Sequence, residues 1–206
     1  MEAWDLSGTL QRISGTWNLV PPSSPCPHPP GRSPSVREAE GVWVRDAQRG
    51  SAVALEALFR AHWPRAYRAA LLVVGDAAAA EDIAQESFLA AVRALDRFDR
   101  RRPFGPWLHR IVVNRAIDWG RARSLRRELD LEGVPEPAAP DDRRPERVDE
   151  ISGALADLVP EQRAVIVLRY LLDYTPGEIA DLLDLPRGTV NSRLRRGLDR
   201  LAEELE

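Results

Sequence analysis

The chain has 206 residues, 44% of them apolar, which is enough for one large or two small domains. Its net charge of −3, taken alone, argues against a nucleic-acid-binding protein. A single cysteine excludes an internal disulfide, and no apolar run approaches the roughly 20 residues that span a membrane. We therefore expect a cytoplasmic protein without membrane insertion.

Residues 1–40 have a composition of their own, with the run VPPSSPCPHPPGRSPS at their centre. Such a segment buries too little surface to offset its ordering entropy, so a disordered N-terminal extension is predicted. Cys26 and His28 lie in this run without the second pair of ligands that a zinc site needs, so no metal site is expected. Met1 is the only methionine, and a native start near Val36 is an open alternative.

The first helical domain is predicted over residues 50–123. Its first helix contains Pro64, which predicts a kink or two shorter helices. Asp76 is expected to cap the second helix, from Ala77 to Leu95. One face of that helix is apolar and is predicted to point inward: Ile83, Ala84, Phe88, Ala91, Val92 and Leu95. The opposite face carries Asp82, Glu86, Leu89 and Arg93, and it is either simply solvated or a protein-docking surface.

Between residues 101 and 127 the sequence has eight arginines and one aspartate. Arg100, Arg101 and Arg102 are predicted in a loop, and Pro106 begins a helix that runs to about Arg123. Arginines interleaved with aromatic residues are typical of single-strand binding, because every base offers a π face. Trp107 matches a buried stripe and is predicted to pack in the core, whereas core and stacking roles both stay open for Phe98, Phe104 and Trp119.

Residues 124–149, rich in Pro, Glu and Asp, are predicted to form an acidic flexible linker, and residues 150–206 a second helical domain. In that domain Thr175 is expected to cap a helix with Pro176 in its first position and Glu178 reaching back. Leu185 and Pro186 end this helix, and the next one carries an inward stripe and outward arginines. The stripe is Val190, Leu194, Leu198 and Leu201, and the arginines are Arg187, Arg193, Arg195, Arg196 and Arg200.

Two short helices joined in this way are typical of a helix-turn-helix, whose second helix lies in the major groove of DNA. A charged solvated helix is the alternative. The local charge matters more than the total, because the basic segments 101–127 and 187–200 alternate with acidic segments and phosphate attraction acts within about 8 Å. Two separate DNA contacts are therefore plausible.

Three motifs, in this order, resemble those of bacterial sigma factors of the extracytoplasmic-function group. They are AEDIAQESFL, W-L-x-R-I-x-x-N and P-x-G-T-V-x-S-R. These small members of the sigma-70 family keep only the second and fourth conserved regions. The resemblance implies an all-α fold with two small helical domains, a region 2 bundle and a region 4 helix-turn-helix, joined by a flexible linker.

In this family the AEDIAQESFL helix binds the clamp of the RNA polymerase largest subunit. The resemblance therefore implies polymerase-binding roles for Asp82, Gln85, Glu86 and Leu89. The loop from Asp99 to Phe104 and the helix after it match the element that captures a flipped base of the start-proximal promoter element, which needs a pocket to offset lost stacking. The implied contacts are Arg100, Arg101, Arg102, Phe104, Arg110, Asn114, Arg115 and Asp118.

The second arginine-bearing helix matches the one that reads the upstream promoter element. The implied contacts are Arg187, Thr189, Asn191, Ser192, Arg193, Arg195 and Arg196, with Arg193 facing either DNA or the scaffold. The resemblance also implies contact with the flap of the second-largest polymerase subunit and with an anti-sigma factor, and it implies no cofactor. The linker would thread toward the polymerase active site, either as a mimic of nucleic acid or as a soluble spacer.

No catalytic constellation competes with this interpretation, since the chain has no phosphate loop or nucleophile elbow and its histidines, His28, His62 and His109, are scattered. We expect a non-enzymatic sigma factor that binds core RNA polymerase, directs promoter-specific initiation and helps to capture the melted strand. An autonomous helix-turn-helix regulator is one alternative, although such proteins usually dimerise. A sigma-like interaction protein without promoter activity is the other.

Overall fold

The computed structural model describes residues 10–13, 16–19, 34–129 and 153–204. The regular structure in these residues is helical apart from a short antiparallel hairpin, β1 (Leu10–Ile13) and β2 (Thr16–Leu19). The helices are α1 (Pro34–Ala47), α2 (Ala52–Val74), α3 (Ala77–Ala94), α4 (Phe104–Leu129), α5 (Pro160–Ile166), α6 (Pro176–Leu183) and α7 (Arg187–Glu204). A 3-10 turn, Leu95–Arg97, follows α3, and a π-helical turn, Val167–Leu171, extends α5.

The first unit is a bundle of α1 to α4 in which α2 packs against the other three helices. Small residues make this close packing possible, since Ala66, Ala69 and Ala70 of α2 are fully buried. Leu108, Val112 and Val113 of α4 are also fully buried and close the core from the other side. The Asp76 side chain accepts a hydrogen bond from the N–H of Ala79, so the predicted cap of α3 is confirmed.

The N-terminal part of this unit differs from the prediction. Helix α1 begins at Pro34, inside the segment predicted to be disordered, and it buries Val44 and Ala47 against the bundle. The hairpin also lies in that segment, and the Ser-Gly pair in the sequence between its two strands is a turn signal that a prediction from composition alone does not use. The rest of residues 1–33, with Cys26 and His28, lies outside the described residues.

Three further details of the helices correct the sequence predictions. Helix α2 is continuous through Pro64, so the alternative of two shorter helices is wrong, and Pro64 lies on the exposed face where water can hydrate the carbonyl that lacks a partner. Val92, predicted inward, is 44% exposed at the end of α3. Helix α4 continues to Leu129 because the segment SLRREL consists mostly of good helix formers. Residues 130–149 of the predicted linker lie outside the described residues.

The second unit contains α5 to α7. Thr175 and Glu178 form the predicted capping box at the start of α6, with the Glu178 carboxylate 2.8 Å from the Thr175 backbone nitrogen. Helix α7 lies very close to α5 at Gly197, where an added Cβ would come within 2.7 Å of the Ile166 side chain. Ile179 and Val190 are fully buried, so the helix-turn-helix rests on an apolar base.

The two units are packed against each other in this structure. Arg163 of α5 donates hydrogen bonds to the carbonyl of Leu158 at 2.8 Å and to that of Val73 in α2 at 3.0 Å. Pro160 lies so close to Gly120 of α4 that a Cβ there would meet its ring at 2.7 Å. In the described part of the chain, no helix is both long and apolar enough to cross a membrane.

Candidate nucleic-acid interface

Helix α7 presents a basic surface to solvent. Arg187, Arg195, Arg196 and Arg200 are exposed, and within the described residues none of the four takes part in an ion pair. Asn191, in the N-terminal half of the helix, is exposed as well. Guanidinium groups without acidic partners keep their donors available for phosphate oxygens and guanine edges. This surface has the composition and the free donors of a duplex-reading helix.

Three other residues on the same helix are less available. Thr189, Ser192 and Arg193 are half-buried, and the Ser192 hydroxyl donates a hydrogen bond to the Thr189 carbonyl at 2.9 Å. Burial raises the pKa of Glu161 in α5, but a hydrogen bond from Arg121 and the charges of Arg121 and Arg193 outweigh it, so that pKa is lowered. Arg193 is thus half-buried on the side of α7 whose charge reaches α5, and both of its predicted orientations, toward DNA and toward the scaffold, stay open.

A second basic surface begins at the loop of residues 99–103, which we name the arginine loop. Arg100, Arg101 and Arg102 are exposed there. The Asp99 carboxylate accepts hydrogen bonds from the backbone N–H of Arg101 at 3.0 Å and from its guanidinium at 3.1 Å, and these bonds lower the pKa of Asp99. A cavity of about 190 Å³ lies between this loop and α1. The loop therefore combines a hydrogen-bonded turn, three arginine side chains and an adjacent cavity.

Phe104, predicted as a DNA contact, is instead part of the core. Its side chain is only 3% exposed and packs edge-on against Phe98 and Trp107, with ring centroids at 6.0 and 5.6 Å. Phe98 is buried too, and its ring centroid lies 4.5 Å from that of Trp107. Trp107 is partly buried against the core, so its predicted packing in the core is confirmed. Burial of these rings removes a large apolar area from water, and the edge-on contacts between them add to that stabilisation.

Helix α4 continues the second basic surface. Arg110, Asn114 and Asp118 are exposed and follow one another at intervals of four residues, which places them on one helix face. Arg121 continues this face, but its guanidinium group forms ion pairs with two carboxylates. The nitrogen–oxygen distances are 3.7 Å to Asp118 and 2.6 Å to Glu161 of the second unit. At about 1.5 Å per residue, the face from Arg110 to Arg121 is roughly 16 Å long, enough for a few nucleotides of a single strand.

The polar face of α3 lies beside this surface. Asp82, Gln85 and Glu86 are exposed, and Leu89 is 54% exposed. The Glu86 carboxylate forms an ion pair with Arg115 of α4 at 2.5 Å, so the structure joins two residues that were assigned to different partners. Asp82 and Glu86, together with Trp119, also line a cavity of about 330 Å³. The guanidinium carbon of Arg123 lies 5.0 Å from the centroid of the Trp119 ring in a cation–π contact.

Sequence reasoning missed two polar residues, Glu40 of α1 and Gln48 in the turn directly after α1, whose hydrogen bonds reach both ends of the arginine loop. Nothing in the local pattern points to them, because their partners are about 50 to 64 residues away. Among the described residues, no group of three or more His, Cys, Asp or Glu side chains has the arrangement of a metal site.

Two family models match the chain in the expected order. The model described as Sigma-70 region 2 matches residues 58–127, which cover α2 to α4. The model described as Sigma-70, region 4, matches residues 149–201, which include the helix-turn-helix. The two matched segments thus contain both basic surfaces.

Curated relatives and solved structures agree with these matches. The chain is 30% identical to "ECF RNA polymerase sigma factor SigW" of Bacillus subtilis (strain 168), over 79% of this chain and 94% of the relative. It is 36% identical to "ECF RNA polymerase sigma factor SigL" of Mycobacterium tuberculosis, over 73% of this chain and 88% of the relative.

Two solved structures have the same fold. The structure of CnrH in complex with the cytosolic domain of CnrY has a TM-score of 0.62 and 27% identity, and the match covers 81% of this chain and 97% of that one. The sigma factor RpoE of Bartonella quintana, crystallised with the anti-sigma factor NepR, has a TM-score of 0.61 at 23% identity, covering 73% of this chain and 95% of that one. The chain belongs to the sigma-70 family of RNA polymerase sigma factors, in its extracytoplasmic-function group.

Proposed function

We propose that this protein is a dissociable initiation subunit, which binds core RNA polymerase and directs it to a set of promoters. The observation that carries the proposal is that one chain bears an acidic helix face and two separate basic surfaces, inside two segments that match sigma regions 2 and 4. An autonomous regulator needs one duplex-reading surface, whereas this chain has a second cationic surface with an adjacent cavity. The role is non-enzymatic and belongs in the cytoplasm, where the polymerase acts.

The polar face of α3 is proposed to bind the clamp of the polymerase largest subunit. Asp82 and Gln85 offer acidic and amide groups in water, and the exposed Leu89 adds an apolar contact beside them. A protein interface needs such an apolar centre with a polar rim, because charges alone contribute little when solvent screens them. The second unit is proposed to contact the flap of the second-largest subunit.

The arginine loop and the exposed face of α4 are proposed to capture the melted promoter strand. Arg100, Arg101 and Arg102 would neutralise phosphates beside the 190 Å³ cavity, which offers space for an extruded base. Arg110, Asn114 and Asp118 would continue the contact along α4, and Asn114 has both an amide donor and a carbonyl acceptor for a base edge. Phe104 is not part of this proposal, because it is buried.

Helix α7 is proposed to read the upstream promoter element as duplex DNA. Arg187 and Asn191 lie in its N-terminal half, which enters the major groove in a helix-turn-helix, and Arg195 and Arg196 follow on the solvent side. Thr189 and Ser192 are placed at the edge of this contact. Since polymerase holds both units on one promoter, the effective concentration of this helix at its site rises, and a short recognition surface is sufficient.

An anti-sigma factor is proposed as a further partner. Both CnrH and the RpoE protein of Bartonella quintana were solved with a second protein, the cytosolic domain of CnrY and the anti-sigma factor NepR. A partner that covered the α3 face would compete with the polymerase for the same residues. Mixing such a partner with the purified chain and core polymerase would show competition directly.

Transcription in vitro with core polymerase tests the proposed function. The purified chain should support initiation at specific sites of its native genomic DNA, and core polymerase alone should not. Replacing Asn114 with Ala should leave polymerase binding unchanged while it reduces permanganate reactivity of thymines in the open complex. If the chain supports no specific initiation and yet binds duplex DNA tightly by itself, it is a regulator and the proposal is wrong.

A further inference from the structure

We propose that helix α1 and the turn that follows it are a frame for the arginine loop, and that Glu40 in the helix and Gln48 in the turn are positioning residues for capture of the promoter strand. The inference rests on the proposed function, since it assigns to this frame the task of holding the loop that captures the strand. Neither residue lies in the matched segments, which begin at residue 58. The two side chains hold the loop at its two ends, one at Phe104 and one at Phe98.

Glu40 holds the end of the loop where α4 begins. The residue is 9% exposed, and one carboxylate oxygen accepts a hydrogen bond from the backbone N–H of Phe104 at 2.6 Å. The other oxygen lies 3.4 Å from Nε2 of His62 in α2. Burial raises the pKa of Glu40, but the contacts with His62 and the N–H groups of Phe104 and Gly105 outweigh it and lower the pKa. A buried carboxylate thus stays charged at a helix N-terminus, where the free N–H groups stabilise it.

Gln48 holds the other end. Its side-chain amide donates to the carbonyl of Leu95 at 2.9 Å and to the carbonyl of Phe98 at 3.1 Å. Both of its hydrogens are therefore used on the segment that leads into the loop. The five residues of the arginine loop lie between these two anchored positions, Phe98 and Phe104. Fixing both ends reduces the conformations of so short a loop before any ligand binds.

The cavity beside the loop is built from the same two elements. Glu40, Gly41 and Val44 of α1 line one side, and the other side is formed by Phe98, Arg100, Arg101, Arg102, Pro103 and Phe104. The Glu40 oxygens are already engaged by protein groups, so this residue acts on the strand through the loop rather than by contact. Binding sites need this support, because a loop that must be ordered by its ligand loses affinity and selectivity.

Strand capture by the assembled holoenzyme tests the frame. The full chain and core polymerase are mixed with a fluorescent fork-junction DNA whose single-stranded overhang carries the start-proximal element, or a version with each overhang base changed. Glu40→Ala and Gln48→Met should each weaken overhang binding roughly tenfold and reduce the ratio between matched and changed overhangs. Glu40→Gln keeps an oxygen acceptor and should recover most of the affinity. Glu38→Ala, exposed on the same helix, is the matched control and should behave as wild type.

Two other measurements separate positioning from a merely structural role. Core-polymerase affinity and binding to an upstream-element duplex should change less than about twofold in the Glu40 and Gln48 variants, because the described hydrogen bonds of these residues go to Leu95, Phe98 and Phe104, which belong to neither of those proposed contacts. If all three affinities fall together with the melting temperature, α1 is only structural and the inference is overturned. Unchanged overhang binding in both Glu40→Ala and Gln48→Met overturns it as well. If Glu40→Ala does not fold, Gln48→Met alone decides the question by the same criteria.

The proposed function is tested in the same assay by Arg101→Ala and Asn114→Ala. If these two variants lose overhang binding while the Glu40 and Gln48 variants do not, only the frame is wrong. If Arg101→Ala, Asn114→Ala and the Glu40 and Gln48 variants all bind the overhang normally, this surface does not capture the strand. The proposed role of the frame is then wrong as well.

Discussion

The two basic surfaces of the molecule are built in opposite ways. On α7 the exposed arginines follow from a local pattern, and within the described residues they have no acidic partner. On α4 and the arginine loop, Arg101, Arg115 and Arg121 are each held by a carboxylate, from Asp99, Glu86 and Glu161. The loop is also anchored by Glu40 of α1 and by Gln48 in the turn after it, which lie 64 and 50 residues before their partners in the chain. One surface is a free helix face, and the other is a tertiary assembly.

This difference fits the two kinds of DNA that we propose for them. Duplex DNA has a regular groove, so a rigid helix with free guanidinium groups suffices and affinity comes largely from phosphates. A separated strand has no fixed shape, so the protein must supply the shape, and neighbouring carboxylates hold the arginines in defined directions. We therefore expect substitutions on α7 to change affinity alone, and substitutions around the arginine loop to change folding, affinity and selectivity in different proportions.

The largest effect is expected from Phe104→Ala. Phe104 is packed among Phe98, Trp107 and His62, so its removal leaves a cavity and should lower the free energy of unfolding by about 3–5 kcal/mol. Urea unfolding followed by circular dichroism measures this loss. Arg102→Ala, two residues earlier and exposed, is the control and should change stability by less than about 0.5 kcal/mol. A fully stable Phe104→Ala variant with weak strand binding would restore Phe104 as a DNA contact.

On α7 the corresponding experiment should leave the fold unchanged. Replacing Arg195 and Arg196 with Ala should weaken binding to the upstream duplex roughly 10- to 100-fold, because two phosphate contacts are lost. The slope of log K against log salt should fall by about 1.8 in magnitude. Arg200→Ala, near the C-terminal end of the helix, should have a smaller effect, since the N-terminal part enters the groove. An unchanged salt slope in the double variant would contradict the proposed duplex contact.

The junction of the two units gives a pH-dependent effect. His109 of α4 is buried with its Nδ1 atom 2.8 Å from the Tyr174 hydroxyl of the second unit, and its Nε2 atom has no partner within the described residues. Burial, with the nearby charges of His62 and Arg65, lowers the pKa of His109 to about 3. In the unfolded chain a histidine has a pKa of about 6.5, so below that pH the unfolded state takes up a proton that the folded state excludes.

Stability should therefore fall as the pH decreases from about 6.5 toward 3. Between pH 7.5 and 5.0 the loss should be about 2 kcal/mol. This window lies above the titration of Glu40 and Glu161, whose pKa values are lowered. Urea unfolding at several pH values measures the slope, and His109→Gln should flatten it. If His109→Gln keeps the slope of the wild type, another group is responsible and the junction does not exclude the proton.

The same contrast explains what could be predicted from the sequence. Helices α6 and α7 follow from local signals, since the Thr175 cap, Pro176 and Pro186 act on residues within one turn of themselves. The burial of Phe104 does not follow from local signals, because an aromatic residue beside three arginines is equally typical of a ring that stacks on a DNA base. Its environment depends on Phe98, Trp107 and α1 coming together, and Glu40 is 64 residues away from its partner. Tertiary contacts of this range leave no mark on local periodicity.

The smallest effect, and the sharpest test of the contrast, concerns the ion pair between Glu86 and Arg115. Their side chains are 65% and 40% exposed, so solvent screens the pair, and a double-mutant cycle with Glu86→Gln and Arg115→Ala should give a coupling of about 0.2–1 kcal/mol in stability. Salt at about 1 M should reduce the coupling further, since the Debye length is then about 3 Å.

The pair nevertheless joins the proposed polymerase face to the proposed strand surface. We expect the two single variants to differ in which binding affinity they weaken, although they change stability by similar small amounts. Glu86→Gln should weaken binding to core polymerase, whereas Arg115→Ala should spare that binding and weaken strand capture. Fluorescence titrations with core polymerase and with the fork-junction DNA measure the two affinities separately. If both variants weaken both affinities equally, the pair acts as one structural unit. The two surfaces would then be coupled through it, and the separation of roles argued for α3 and α4 would not hold.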